Sequence, residues 1–117
     1  MQKSIHLISR REGLTLHGMS RWPEETQGYQ SCCWLISDED AADLLGGWVY
    51  FHEKKADASG FGGIIMGFAP GHDDMAHRKI IMFRHDPRAR GQRWRGADHS
   101  MAYSSGLVAA DLPHEAL

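Results

Sequence analysis

The sequence predicts an α+β fold: a small, strongly bent, mostly antiparallel sheet of five to six strands, or a partly open β-barrel, with one main helix. Three observations predict it. Short apolar runs recur between turn residues, a single acidic segment carries helix start and stop signals, and glycines flank and interrupt the run Gly62 to Phe68. Glycine inside a strand permits bulges and close backbone approach, which favours sharp coiling.

The elements follow in chain order. Ser4 to Ser9 reads as a strand, with Ile5 and Leu7 on one side and His6 and Ile8 on the other. Residues 10 to 30 lack clean periodicity and are punctuated by Gly13, Gly18, Pro23 and Gly28, so loop is expected there with one short strand near Leu14 to Leu16. Ser31 to Ile36 is the second clear strand. Ser37 then offers an N-cap, with Asp40 three residues on in the capping-box position. Asp38, Glu39 and Asp40 fill the first turn, where the helix dipole favours negative charge. Ala41, Leu44 and Leu45 give the helix its buried stripe, and Gly46 stops it.

Trp48 to Glu53 is the third strand, alternating Trp48, Tyr50 and His52 on one face with Val49, Phe51 and Glu53 on the other. Gly62 to Phe68 and Arg78 to His85 follow as the fourth and fifth. Arg88 to Asp98 is loop by composition, Ser100 to Val108 a short last strand, and the tail after Asp111 is expected to fray.

At 117 residues the chain is read as one domain, 1–117, long enough to bury its own core. Hydrophobic content of 42% and charged content of 24% place it with soluble globular proteins rather than disordered or membrane ones. Its longest uncharged apolar run, Gly62 to Ala69, is far short of a membrane span. No membrane partner is expected. The first residues lack a signal-like apolar core, because Arg10 and Arg11 follow only Ile5 to Ile8, so the expected location is cytoplasmic. Cys32 and Cys33 are the only cysteines. Neighbours on a strand point to opposite faces, so two separate thiols are expected rather than a disulfide.

The net charge of −2 hides an uneven distribution. Seven cations between Arg78 and Arg95 share their segment with a single acid, Asp86. Guanidinium groups grip phosphates bidentately, and an indole stacks on an unpaired base. Arg84, Arg88, Arg90, Arg93 and Arg95, with Trp94 among them, are therefore candidates for nucleic-acid contact; the competing reading pairs these arginines with the acidic helix. Trp48 and Tyr50 are candidate walls of an aromatic pocket, against the simpler reading that each packs in the core.

Other chemistries have less support. His72 and His77 lie beside Asp73 and Asp74, and His85 and His99 bracket the arginine loop, but none has metal-ligand spacing. No metal and no cofactor are expected. Asp43 followed by Glu53-Lys54-Lys55 has the order of a magnesium nuclease motif without its strand context, and no nucleophile elbow is present, so no catalytic residue is assigned.

The series Cys33-Trp34-Leu35-Ile36-Ser37-Asp38, helix, Gly47-Trp48-Val49-Tyr50-Phe51-His52, then Gly63-Ile64-Ile65-Met66-Gly67-Phe68 resembles the EVE and ASCH branch of the PUA-like superfamily. That resemblance implies a small pseudobarrel that binds RNA or a modified base in DNA, with Trp34 and Trp48 on the pocket side. It leaves the first 30 residues without a counterpart, and Trp48 stands where the branch often has an acid.

The leading expectation is a non-enzymatic nucleic-acid-binding module, RNA or DNA. The alternatives are a protein-interaction module, as a homodimer or an inhibitor of a nucleic-acid enzyme, and a small metal-dependent hydrolase or nuclease. These readings separate on whether the arginines and an open aromatic cleft share one face.

Overall fold

A computed structural model describes residues 2–96 and 106–109. The expected tail after Asp111, His99 and most of the last strand from Ser100 lie outside the described residues.

The β-strands are β1 (Lys3–Ile8), β2 (Arg11–Glu12), β3 (Thr15–Leu16), β4 (Met19–Arg21), β5 (Gly28–Trp34), β6 (Trp48–His52), β7 (Phe61–Pro70), β8 (Lys79–His85) and β9 (Leu107–Ala109). The helix α1 spans Asp38–Leu44. Seven strands form one sheet in the order β4-β5-β8-β7-β6-β1-β9, and β2 and β3 pair as a separate hairpin. Every pairing is antiparallel except β1 with β6, which is parallel. The fold is α+β. Among the described residues the sheet stays open, with β4 and β9 at its edges.

The expected helix signals operate as local chemistry requires. The Ser37 hydroxyl accepts a hydrogen bond from the Asp40 backbone N–H at 3.1 Å, satisfying one of the orphan donors of the first turn. Gly46 beyond the end takes φ +81°, which only glycine adopts without strain. The helix acids find lysines rather than arginines: Lys3 meets Asp40 at 3.2 Å and Asp43 at 3.3 Å, and Lys79 meets Asp38 at 2.9 Å.

Side-chain alternation splits the sheet into two differently covered faces. In the β1–β6 register Ile5 lies beside Val49 and Leu7 beside Phe51; these face α1. With Ile36, Ala41, Leu44, Ile65, Ile81 and Phe83 they form the main core. Leu44, Val49, Ile5, Ile81 and Phe83 are fully buried, each worth about 1.5–3 kcal/mol by removal from water. On the opposite face His6 lies beside Tyr50. There Trp48, Tyr50 and Ala89 form a smaller cluster beneath the segment that follows β8.

Register shifts interrupt the ladders in β5 between Ser31 and Trp34 and in β7 between Ile65 and Gly67, the second within the glycine-rich run. Two expectations are corrected. Seven strands rather than five to six form the sheet, because the three-residue edge strand β4 joins it. Residues 10 to 30 hold the β2–β3 hairpin and β4 rather than one short strand, because strands this short leave no periodic trace. Cys32 and Cys33 lie at the shift in β5, and the peptide bond between them is cis.

Candidate functional site

A cleft of about 320 Å³ opens on the helix-bearing face, where the β2–β3 hairpin stands over β5, β6 and β7. No α1 residue lines it. Its size is at the small end of ligand pockets, suited to one planar group with its substituents. Tyr29, Phe51 and Phe61 form its aromatic floor, and Leu14 and Leu16 of the hairpin form an apolar wall. Leu14, at the hairpin turn, is 97% exposed.

Packing below fixes the floor. Tyr29 and Phe61 meet edge to face with centroids 5.0 Å apart, both rings rest on Phe83, and His85 stacks on Phe61 at 4.4 Å. The rim is charged. Arg11 and Arg90 line the cleft with Glu53 and Asp57, and Arg21 lies over the Tyr29 ring at 4.8 Å. Arg11 makes a loose ion pair with Glu53 at 3.6 Å. Among the described residues neither Arg21 nor Arg90 has a carboxylate partner.

Arg90 owes its place to Ser59, a residue the sequence does not advertise. The Ser59 hydroxyl donates to the Ala89 carbonyl and accepts from the Gln92 N–H at 3.0 Å. Its backbone N–H bonds the Gln92 carbonyl at 2.9 Å, and its carbonyl accepts from Gly91 at 2.8 Å. Buried Ser59 thus stitches the β6–β7 loop, which carries Asp57, to the loop that carries Arg90. A small hydroxyl residue between a Lys-rich loop and a glycine is too common a pattern to reveal this.

The sequence-derived candidates divide into four groups. Trp48, Tyr50, Trp94, Arg88 and Arg95 gather on the face opposite the cleft. The Arg88 guanidinium lies over Trp48 at 5.2 Å and Arg95 over Tyr50 at 5.4 Å. Trp94 is tilted against His6 and His52 at 5.6 and 5.3 Å, with Lys55 above it at 5.0 Å. Arg88 also pairs with Asp86 at 2.8 Å, which holds that carboxyl below the usual carboxylate range. Trp34 stands apart, packed on the main core with its indole N–H donating to Ser31 Oγ at 3.0 Å. Arg84 and Arg93 are exposed with no ion pair among the described residues, and Arg90 alone of the set reaches the cleft.

Beneath Trp94 lies a buried imidazole pair. His6 and His52 are both fully buried, with His6 Nδ1 and His52 Nε2 2.8 Å apart. His52 Nδ1 donates to the Asp57 carbonyl at 2.9 Å, and Arg95 Nη2 donates to His6 Nε2 at 3.2 Å. Burial holds His52 below its usual pKa; the Asp57 carbonyl opposes this and the Arg95 charge reinforces it.

Metal and membrane features are absent among the described residues. No group of three or more His, Cys, Asp or Glu side chains is arranged to hold an ion, and no helix is long and apolar enough to cross a membrane. Asp43 and Glu53, the acids of the nuclease reading, have different partners in Lys3 and Arg11. Comparison with known proteins gives no match to any family model, curated protein or solved structure.

Proposed function

We propose that this chain is a small non-enzymatic module for single-stranded nucleic acid, RNA or DNA, that takes an unpaired base in the cleft and holds flanking phosphates on arginines. The observation that carries this reading is the aromatic floor of Tyr29, Phe51 and Phe61 edged by Arg11, Arg21 and Arg90. A base presents a flat π-face to such a floor, and its phosphates are anions for the guanidinium groups. The residues proposed for the base differ from Trp48 and Tyr50, which the opposite face buries. The resemblance of Cys33 to Phe68 to the EVE and ASCH branch points to the same ligand class, including a modified base, and would make the bent sheet a PUA-like fold.

Fluorescence anisotropy with labelled RNA and DNA hexamers tests the reading. Tyr29→Leu removes the stacking ring while keeping bulk, and a stacked base worth about 1–3 kcal/mol makes the expected loss about 5- to 150-fold. Absence of wild-type binding to every oligonucleotide at low salt removes the proposal.

A further inference from the structure

The buried histidine pair has a fixed proton pattern. A carbonyl only accepts, so His52 carries its proton on Nδ1, facing Asp57. Neutral His52 then accepts at Nε2, so His6 donates from Nδ1. That leaves His6 Nε2 bare, and it is the acceptor for Arg95 Nη2. The chain runs from Arg95 through His6 and His52 to the Asp57 carbonyl with one proton per ring.

An added proton cannot fit this chain. It makes His52 a donor at both nitrogens, so His6 must accept at Nδ1 and carry its own proton on Nε2. That proton then points at an Arg95 N–H, donor against donor, with two cations in one buried site. The bond that fails is the one to Arg95, because the Asp57 carbonyl is satisfied by either form of His52.

Arg95 has little else to hold it. Its Nε and Nη1 are buried without a hydrogen-bond partner, and no carboxylate among the described residues pairs with it. Buried unpaired donors are costly. Among the described residues its hold is the single acceptor on His6 and the face of Tyr50.

We propose that the His6–His52 pair is an acid-operated latch: neutral, it holds the Trp94–Arg95 segment against the sheet, and one added proton releases it. Among the described residues, the groups that face the pair are Arg95 and Trp94 from that segment, Asp57 and, across Trp94, Lys55 from the β6–β7 loop, and Tyr50 from β6, stacked on His6 at 4.5 Å. Reciprocity supports the coupling. The Arg95 charge lowers the proton affinity of His52, so protonation of His52 lowers the hold on Arg95 by the same factor. Release frees a guanidinium beside a segment that already presents Arg90 and Arg93. Resting on the nucleic-acid reading for this last step, the latch makes oligonucleotide binding stronger in acid.

The test has two arms. In the first, ¹⁵N–¹H spectra of the imidazoles and of the Arg95 Nε–H are followed in the ligand-free full chain from neutral to mildly acidic pH. Both rings are expected as Nδ1–H tautomers at neutral pH, and the Arg95 Nε–H signal is expected to vanish by solvent exchange in step with their titration. His52→Gln, which takes up no proton, is expected to lose the transition; should that variant fail to fold, the wild-type spectra decide alone. Either ring found as the Nε2–H tautomer at neutral pH, or an Arg95 signal that persists through the titration, overturns the latch. In the second arm, anisotropy with a single-stranded RNA hexamer is expected to show a larger gain in affinity on acidification for wild type than for His52→Gln. Release in the first arm without that gain retains the latch and removes its link to nucleic acid.

Discussion

Replacing Arg21 and Arg90 together by alanine isolates the electrostatic part of the proposed interface. Both side chains are exposed and neither has an ion pair among the described residues, so their loss leaves no buried charge and little change in stability is expected. Each contact between a cation and a single-strand phosphate contributes about 0.7 to the log–log dependence of affinity on salt, so the double variant should lose about 1.4 of slope. Raising salt from about 50 to about 200 mM should therefore narrow the gap between wild type and variant about sevenfold. Anisotropy of a labelled single-stranded oligonucleotide at several salt concentrations gives both slopes directly. Parallel salt plots for the two proteins would refute phosphate contact by these arginines, whatever their absolute affinities. They would shift weight toward a protein partner docked by charge.

Three further outcomes concern the scaffold. Leu44→Ala empties a fully buried position between α1 and the sheet and should lower unfolding free energy by about 2–5 kcal/mol, read as a reduced urea midpoint at unchanged slope. Gly62→Ala would place a Cβ 2.1 Å from the Val49 carbonyl oxygen at φ +153°, so a loss of more than about 1 kcal/mol is expected. Gly67→Ala in the same strand meets nothing within 4 Å and should cost far less. For pH dependence, His52 is depressed in the folded state, so the unfolded chain takes up its proton first. The contribution of His52 is complete above about pH 6.5 and is lost as pH falls toward the folded value. Asp38 and Asp86, held down by Lys79 and Arg88, add a second loss below about pH 3.8, where the unfolded carboxyls protonate first. Urea midpoints across pH should show both losses, and His52→Gln should lack the first.

The longer elements were legible because each has a local cause. Alternation in Ser4 to Ile8 and Trp48 to His52 assigned every side chain to its proper face, and Ser37, the acidic first turn and Gly46 bounded the helix to within a residue. The cleft was not legible, because its position depends on distant segments. Trp48 and Phe51 look equally suited to a pocket in sequence. The segment that follows β8 covers Trp48, whereas the hairpin leaves open space over Phe51. Arg88 and Arg90 are likewise alike in composition, yet Asp86 captures the first and the Ser59 stitch carries the second to the cleft. The His6–His52 pair joins residues 46 positions apart through a parallel pairing that no local pattern announces.

The most direct test of the central claim is a titration of ¹⁵N-labelled protein with a short single-stranded oligonucleotide, followed through backbone amide shifts. Binding in the cleft predicts the largest shifts at Arg11, Tyr29, Phe51, Asp57, Phe61 and Arg90. Shifts confined to Asp38–Leu44 or to the β7–β8 turn, or none at low salt, would contradict it.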